Sequence, residues 1–257
     1  MRGSVVTSEP LLSLHRVSVR FGGVAALTDL DLSVDRGEAV GIIGPNGAGK
    51  STTLNVLSGF VAPNSGDIRL CGSSIRSMPP HIRAHSGIGR TFQTPRPFEG
   101  LTTRASIDIV RRSRPRRPHR RATVAQVKRW IDEQAILDAC NCTQFADIPA
   151  ERLTGGQRRF AELARCLALD PDVVLMDEPA TGLREVEIDQ LATIIKMLSE
   201  HHRIATLVVS HDMRLINDAC TRVIAFDYGS IMAEGTPGAV RNDPQVIASY
   251  LGENALG

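Results

Sequence analysis

The chain has 257 residues, 42% hydrophobic and 23% charged, a balance that suits one globular domain with a sizeable core and argues against disorder. Its formal net charge of +2 is too small to imply nucleic-acid binding as a bulk property, and no apolar run approaches the ~18 residues needed to cross a bilayer. Met1 to Pro10 lacks the basic and apolar regions of a signal peptide, so a cytoplasmic chain is expected.

In chain order, Leu12 to Arg20 alternates apolar and polar residues, as do Leu30, Leu32 and Val34, which predicts a small antiparallel sheet of half-buried strands. The apolar run Ala39-Val40-Gly41-Ile42-Ile43 then enters a glycine-rich turn, Gly44 to Gly49, followed by a predicted helix, Lys50 to Ser58, that Gly59 ends. Between about Thr94 and Arg165 strand signals stop, and Val124, Val127, Ile131 and Ala135 recur at helical spacing. That stretch includes Arg111-Arg112-Ser113-Arg114-Pro115-Arg116-Arg117-Pro118-His119-Arg120-Arg121, whose prolines and like charges predict a solvated loop. A nucleic-acid or anionic-lipid contact is the other reading, but no aromatic residue interleaves the arginines to stack on bases. Val173 to Met176 and Ile204 to Val209 are buried-strand candidates, separated by a helix with Ile188, Leu191, Ile194, Ile195 and Leu198 on one face. This alternation predicts a parallel sheet covered by helices. The five cysteines, Cys71, Cys140, Cys142, Cys166 and Cys220, form no spaced metal quartet and read as ordinary core or surface residues.

Three segments carry chemistry. Gly44-Pro45-Asn46-Gly47-Ala48-Gly49-Lys50-Ser51 matches the phosphate-loop pattern G-x-x-x-x-G-K-[ST], lying where it must, between a buried strand and a helix. Its glycines let backbone N–H groups turn toward phosphate oxygens, Lys50 neutralises β and γ charge, and the Ser51 hydroxyl suits Mg²⁺. This pattern alone leaves kinases, GTPases and motor ATPases open. Val173-Val174-Leu175-Met176-Asp177-Glu178 ends an apolar strand in two carboxylates; alone it reads as a solvated turn, but after a phosphate loop Asp177 suits the metal and Glu178 the attacking water. Leu153-Thr154-Gly155-Gly156-Gln157 precedes a helix containing Phe160, Leu163, Ala164 and Leu167, and offers N–H groups and a hydroxyl to a second anion.

This last segment resembles the L-S-G-G-Q signature of ABC ATPases, and the resemblance extends from about Leu12 to Gly252. It implies a P-loop NTPase α/β fold over residues 10–257. A parallel-sheet core would span about 10–93 and 166–257, with an N-terminal antiparallel β subdomain and an inserted α-helical subdomain over about 94–165. It implies that Phe21 stacks on adenine, that Gly44 to Ser51 and Thr52 hold the phosphates, and that Thr154, Gly155, Gly156 and Gln157 contact ATP held by an opposite subunit. Glu178, His211, Gln93 and Lys50 are the implied catalytic residues, and Ser51, Gln93 and Asp177 the implied Mg²⁺ site.

Gly89-Arg90-Thr91-Phe92-Gln93, Arg96-Pro97-Phe98 and Leu101-Thr102 look like the glutamine-loop region of ATPases serving branched-chain amino-acid and related amide uptake systems. Asp227-Tyr228-Gly229, Glu234 to Pro237 and Val246 to Gly252 are similar to that subfamily's hairpin and terminal segment. The resemblance implies two transmembrane permease subunits, a second ATPase subunit, an extracytoplasmic solute-binding protein and the cytoplasmic face of the membrane. The competing expectation is a nucleic-acid- or ribosome-associated ABC ATPase; such proteins usually carry two cassettes or a long coiled coil, which this chain lacks. Several positions depart from the pattern: Thr154 replaces serine, Thr103 to Ser106 lack the expected Glu-Asn, and Arg184 stands where the family has aspartate or asparagine. Two Arg184 guanidinium groups meeting at a dimer axis would repel, which points to a heterodimer; the competing reading is that the long side chain swings into solvent and leaves a homodimer equally open.

Overall fold

The computed structural model describes residues 9–114 and 132–254, with side chains described as far as Ser249. Strands β1 (Leu12–Phe21) and β2 (Val24–Val34) form a hairpin that buries Leu12, Leu14, Val17 and Val19 from one strand and Leu27, Leu30, Leu32 and Val34 from the other. Strand β3 (Ala39–Ile43) runs through the glycine turn into helix α1 (Lys50–Ser58), which stops where Gly59 adopts φ 83° and returns its N–H to the carbonyls of Asn55 and Val56. Strands β4 (Ser65–Leu70) and β5 (Ser73–Ser74) complete an antiparallel sheet of order β2-β1-β4-β5, the small sheet that the alternating pattern predicts.

Helix α2 (Pro80–Ser86) follows, then β6 (Ile88–Thr91). From there to α5 the described residues form helices and turns apart from one isolated bridge, Thr102 to Pro149. The helices are α3 (Thr103–Arg112), α4 (Glu133–Ala139) and α5 (Gly155–Leu167). Each begins on a side-chain cap, from Thr102, Asp132 and Thr154 respectively. One expectation is corrected here: Arg111 and Arg112 do not open a loop but form the last turn of α3, where cations suit the helix dipole and Arg112 also pairs with Asp108 one turn back. Residues 115–121 of the arginine run, and Val124 to Ile131, lie outside the described residues. Helix α5 also runs two residues past the expected limit of the helical segment, to Leu167.

The remainder alternates as predicted: β7 (Val173–Asp177), α6 (Glu185–Glu200), β8 (Ala205–Val209), α7 (Met213–Ala219), β9 (Arg222–Asp227), β10 (Ser230–Gly235), α8 (Pro237–Arg241) and α9 (Pro244–Asn254). The second sheet has order β10-β9-β3-β8-β7-β6, parallel except at β10. Both of its faces are covered, which explains the unbroken apolar runs. Ala39 and Ile43 of β3, with Val174 and Met176 of β7, pack in the core beneath α5, α6 and α7, whereas Val40, Ile42, Val173 and Leu175 face α1 and the antiparallel sheet. Buried Arg83 closes the far end of α1 by donating to the carbonyls of Val56 and Leu57, two of the groups that a helix C-terminus leaves unpaired. Cys140, Cys142, Cys166 and Cys220 are buried and Cys71 is exposed; burial pushes the Cys166 and Cys220 thiols up to about 12, as expected of inert core residues.

Candidate functional site

The segments singled out for chemistry converge at the carboxyl ends of the parallel strands, where open α/β sheets place their ligands. Strand β3 delivers Gly44 to Gly49, β7 delivers Asp177 and Glu178, β8 leads through Ser210 to His211, and β6 leads to Gln93. Helix α1 begins without any side-chain cap, so its first-turn N–H groups face outward under the glycine turn, the arrangement that holds phosphate. The turn tolerates nothing larger than glycine at its tight points. A Cβ on Gly44, at φ 144°, would lie 2.3 Å from the Phe226 carbonyl oxygen, and one on Gly49, at φ 101°, would lie 2.7 Å from that of Ala26.

Lys50 is 9% exposed, and its ammonium donates to the carbonyls of Gly44 (2.6 Å) and Pro45 (2.7 Å), which curls the side chain back over the turn. Ser51, one residue on, donates to Asp177 Oδ1 at 3.1 Å. A hydroxyl and a carboxylate are hard oxygen donors of the kind Mg²⁺ accepts beside waters and phosphate oxygens, so the pair fits that ion. Gln93 lies two residues beyond β6 with its side chain exposed; among the described residues it forms no hydrogen bond to Ser51 or Asp177.

Glu178 occupies a left-handed backbone conformation, φ 48°, which a β-carbon-bearing residue adopts at some cost and which recurs at functional sites. Its N–H is tied to the Val209 carbonyl at 2.9 Å, and its Oε2 lies 2.8 Å from His211 Nδ1 and accepts from the His211 backbone N–H at 3.3 Å. Glu178, which suits the attacking water, and His211, which the resemblance implies is catalytic, therefore touch. Phe21 is 54% exposed and stands at the tip of the β1–β2 hairpin, paired with Val24. That hairpin is seated on the phosphate loop, because the Thr28 N–H donates to Gly229 O and the Gly229 N–H to Ala48 O, each at 3.0 Å.

Thr154 and Gly155, at the start of α5, are exposed. The Thr154 hydroxyl, which the sequence offers to a second anion, accepts from the Gln157 N–H at 3.3 Å, while Gln157 Oε1 accepts from the Thr154 N–H at 2.9 Å, a reciprocal capping box. First-turn N–H groups of Gly155 and Gly156 remain for an outside anion. Arg184 is also less free than the sequence suggests. Lacking an acceptor to cap α6, it leaves that task to Glu187, whose carboxylate accepts from both the Arg184 N–H (2.8 Å) and its guanidinium (3.0 Å). The same carboxylate lies against Gly156, where a Cβ would come within 2.6 Å of it.

Sequence reading assigned no role to Arg90, Arg159 or Glu162, and all three grip the segment around Gln93. Arg159 of α5 donates to the carbonyls of Gln93 (2.8 Å) and Thr181 (2.9 Å). Glu162, one turn on, accepts from the Phe92 N–H at 3.4 Å, and burial raises its pKa above 4.5. Their i, i+3 spacing on one helix face was visible in the sequence, but their target was not.

A family model described as "ABC transporter" matches residues 27–181, and one described as "Branched-chain amino acid ATP-binding cassette transporter" matches residues 230–255. The chain is 35% identical to the high-affinity branched-chain amino acid transport ATP-binding protein BraF of Pseudomonas aeruginosa, over 96% of this chain and 99% of BraF. This chain belongs to the ATP-binding subunits of ABC transporters. The cassette is also 34% identical to the branched-chain amino acid transport ATP-binding protein LivG of Escherichia coli K12, with the same coverage. Among solved structures it matches the ADP conformation of MJ1267, an ATP-binding cassette of an ABC transporter, with TM-score 0.82 and 28% identity over 95% of this chain and 99% of that one. As a member of this family the cassette binds nucleotide and is an ATPase subunit of a transporter.

Proposed function

We propose that this cassette binds Mg²⁺-ATP and works as one half of an ATPase dimer beneath two transmembrane permease subunits. Its hydrolysis of ATP drives uptake of branched-chain amino acids or related small amides, delivered by an extracytoplasmic binding protein. The observation that carries this reading is the meeting of an uncapped helix N-terminus, the Ser51–Asp177 pair and the Glu178–His211 pair at one edge of the sheet. Support for the cargo comes from the C-terminal family match and from what the names of BraF and LivG state of those proteins.

On this reading residues 10–257 form one domain in which the helical segment, about 94–165, turns against the sheet core. Phe21 stacks on adenine, and Gly44 to Thr52 wrap the phosphates through backbone N–H groups. Lys50 leaves the Gly44 and Pro45 carbonyls for the β and γ oxygens. Ser51, Asp177 and Gln93 would hold Mg²⁺, which when bound would neutralise phosphate charge. Glu178 accepts a proton from the attacking water, and His211, already against Glu178, holds the γ-phosphate. Thr154, Gly155, Gly156 and Gln157 receive the γ-phosphate of ATP bound to the opposite cassette. No described helix is long and apolar enough to cross a membrane, so attachment to its cytoplasmic face rests on the permease.

The test is reconstitution with candidate permease and binding-protein subunits, sought among the neighbouring reading frames. ATP hydrolysis should rise when the binding protein is loaded with leucine, isoleucine, valine or a small amide, and Gln93→Ala should lower that stimulation more than it lowers nucleotide binding. Salt-sensitive retention of the cassette on nucleic acid, with no permease retained in detergent, would instead favour the nucleic-acid-associated reading.

A further inference from the structure

Arg90 presents an unusual combination of burial and incomplete pairing. It lies on β6 with its side chain 8% exposed, and burial pulls its pKa down against the opposing pull of Asp177. One terminal nitrogen donates to Asp177 Oδ2 at 3.2 Å and the other to Ser58 Oγ at 2.6 Å, while the buried Nε has no hydrogen-bond partner. The guanidinium lies 5.5 Å from the Phe60 ring centre and 4.9 Å from that of Phe92. A hydrocarbon side chain would fill this space without an unpaired Nε but would leave Oδ2 of buried Asp177 without its cation, so packing alone does not account for a cation here.

What Arg90 touches does account for it. Ser51 holds one oxygen of Asp177 from the first turn of α1, and Arg90 holds the other while braced on Ser58 in the last turn of the same helix. Both carboxylate oxygens are thereby fixed, and rotation of Asp177 about its terminal bond is suppressed. The same guanidinium seats Phe92, whose chain neighbour is Gln93. One side chain thus ties together the two strands that offer metal ligands.

We infer that Arg90 is a positioning residue for the divalent cation, orienting Asp177 toward the nucleotide-bound ion and registering the Gln93 loop against it. It rests on the Mg²⁺-ATP reading above and adds to it a residue that does not touch the ion. Partners that orient metal-ligating carboxylates are commonly worth 10- to 100-fold in metal affinity.

The experiment measures Mn²⁺ affinity by electron paramagnetic resonance in the full chain with a non-hydrolysable ATP analogue, together with analogue affinity in EDTA. Arg90→Met, which packs between the two rings, should weaken Mn²⁺ binding roughly 10- to 100-fold while cation-free nucleotide affinity stays at the parental level and thermal stability falls, because buried Asp177 loses a partner. Arg90→Lys, which keeps the charge but loses the fork, should fall between the two. Parental Mn²⁺ affinity in Arg90→Lys and Arg90→Met overturns the inference, and so does an equal loss of Mn²⁺-dependent and cation-free nucleotide binding, which marks a general scaffold role. Should Arg90→Met fail to fold, Arg90→Lys alone decides between these outcomes. If the parent chain itself binds Mn²⁺ no better with the analogue than without it, the Mg²⁺-ATP reading fails and this inference with it.

Discussion

The two helix starts proposed to bind anions, α1 and α5, are built on opposite terms. At α1 everything that phosphate needs is supplied by the chain itself: a glycine turn clamped between Phe226 and Ala26, a buried lysine, and a serine already bonded to the strand-end aspartate. At α5 the helix opens on exposed Thr154 and Gly155 held by a capping box, and among the described residues nothing lies close enough to Gly155 to touch an added Cβ. On the proposed reading one start is a finished site and the other is half of one. The anion at α5 arrives, on that same reading, on another molecule, which is why the proposed unit of function is a dimer.

The comparison can be broken most sharply through Glu178. Glu178→Gln should retain ATP affinity yet lower turnover by about 10²- to 10⁴-fold in the assembled complex, the range for loss of a general base; parental turnover would remove Glu178 from the chemistry. Next comes the contrast between the two helix starts in the isolated chain. Lys50→Ala should weaken nucleotide binding about 10- to 100-fold, from loss of charge-assisted hydrogen bonds of about 1.5–3 kcal/mol. Gly155→Asp has open space for its side chain and should leave that affinity unchanged, while placing a negative charge against the incoming γ-phosphate and abolishing ATP-dependent self-association. A loss of monomer affinity in Gly155→Asp, read by fluorescent-nucleotide titration, would mean that the two sites are not separate.

A smaller effect attaches to Glu162, the buried carboxylate by which α5 holds the Phe92 N–H. Its folded pKa is raised above 4.5 by burial, so the folded state binds this proton more tightly than the unfolded chain does. The associated stability is fully present below pH 4.5 and is lost as pH rises through the folded value. Glu162→Gln removes that loss while keeping an acceptor for the N–H; its urea midpoint should gain on the parent from pH 4.5 toward 7, and parallel midpoints would refute the linkage.

Arg184→Asn should have the smallest effect. Glu187 already draws the guanidinium back onto α6, and Arg184 in turn holds the Glu187 carboxyl below its ordinary range. Repulsion across a homodimer is therefore reduced from what the sequence suggests, though the side chain is still 82% exposed. The substitution should strengthen self-association by a factor of a few at low salt and by nothing at high salt, measured by sedimentation with ATP. Equal strengthening at both salt concentrations would exclude a charge effect.

The local sequence by itself determined the elements that bind phosphate. An apolar run entering G-x-x-x-x-G-K-S admits few backbone paths, because glycine and proline restrict φ and ψ whatever surrounds them, and an apolar strand ending in Asp177-Glu178 must be buried on both faces to be stable. Gly59, the alternation of Leu30, Leu32 and Val34, and the face of α6 were legible for the same reason: each expresses short-range geometry with a fixed period. Tertiary structure alone decided who meets whom. Arg90 reaches Asp177 across 87 residues of chain, Glu178 meets His211 across 33, and the Thr154 hydroxyl turns to its own helix. Long side chains such as Arg90, Arg159 and Arg184 carry no periodic signature of their targets. Their partners are set by how the sheet order brings distant strand ends together, and that order is a property of the whole packed core.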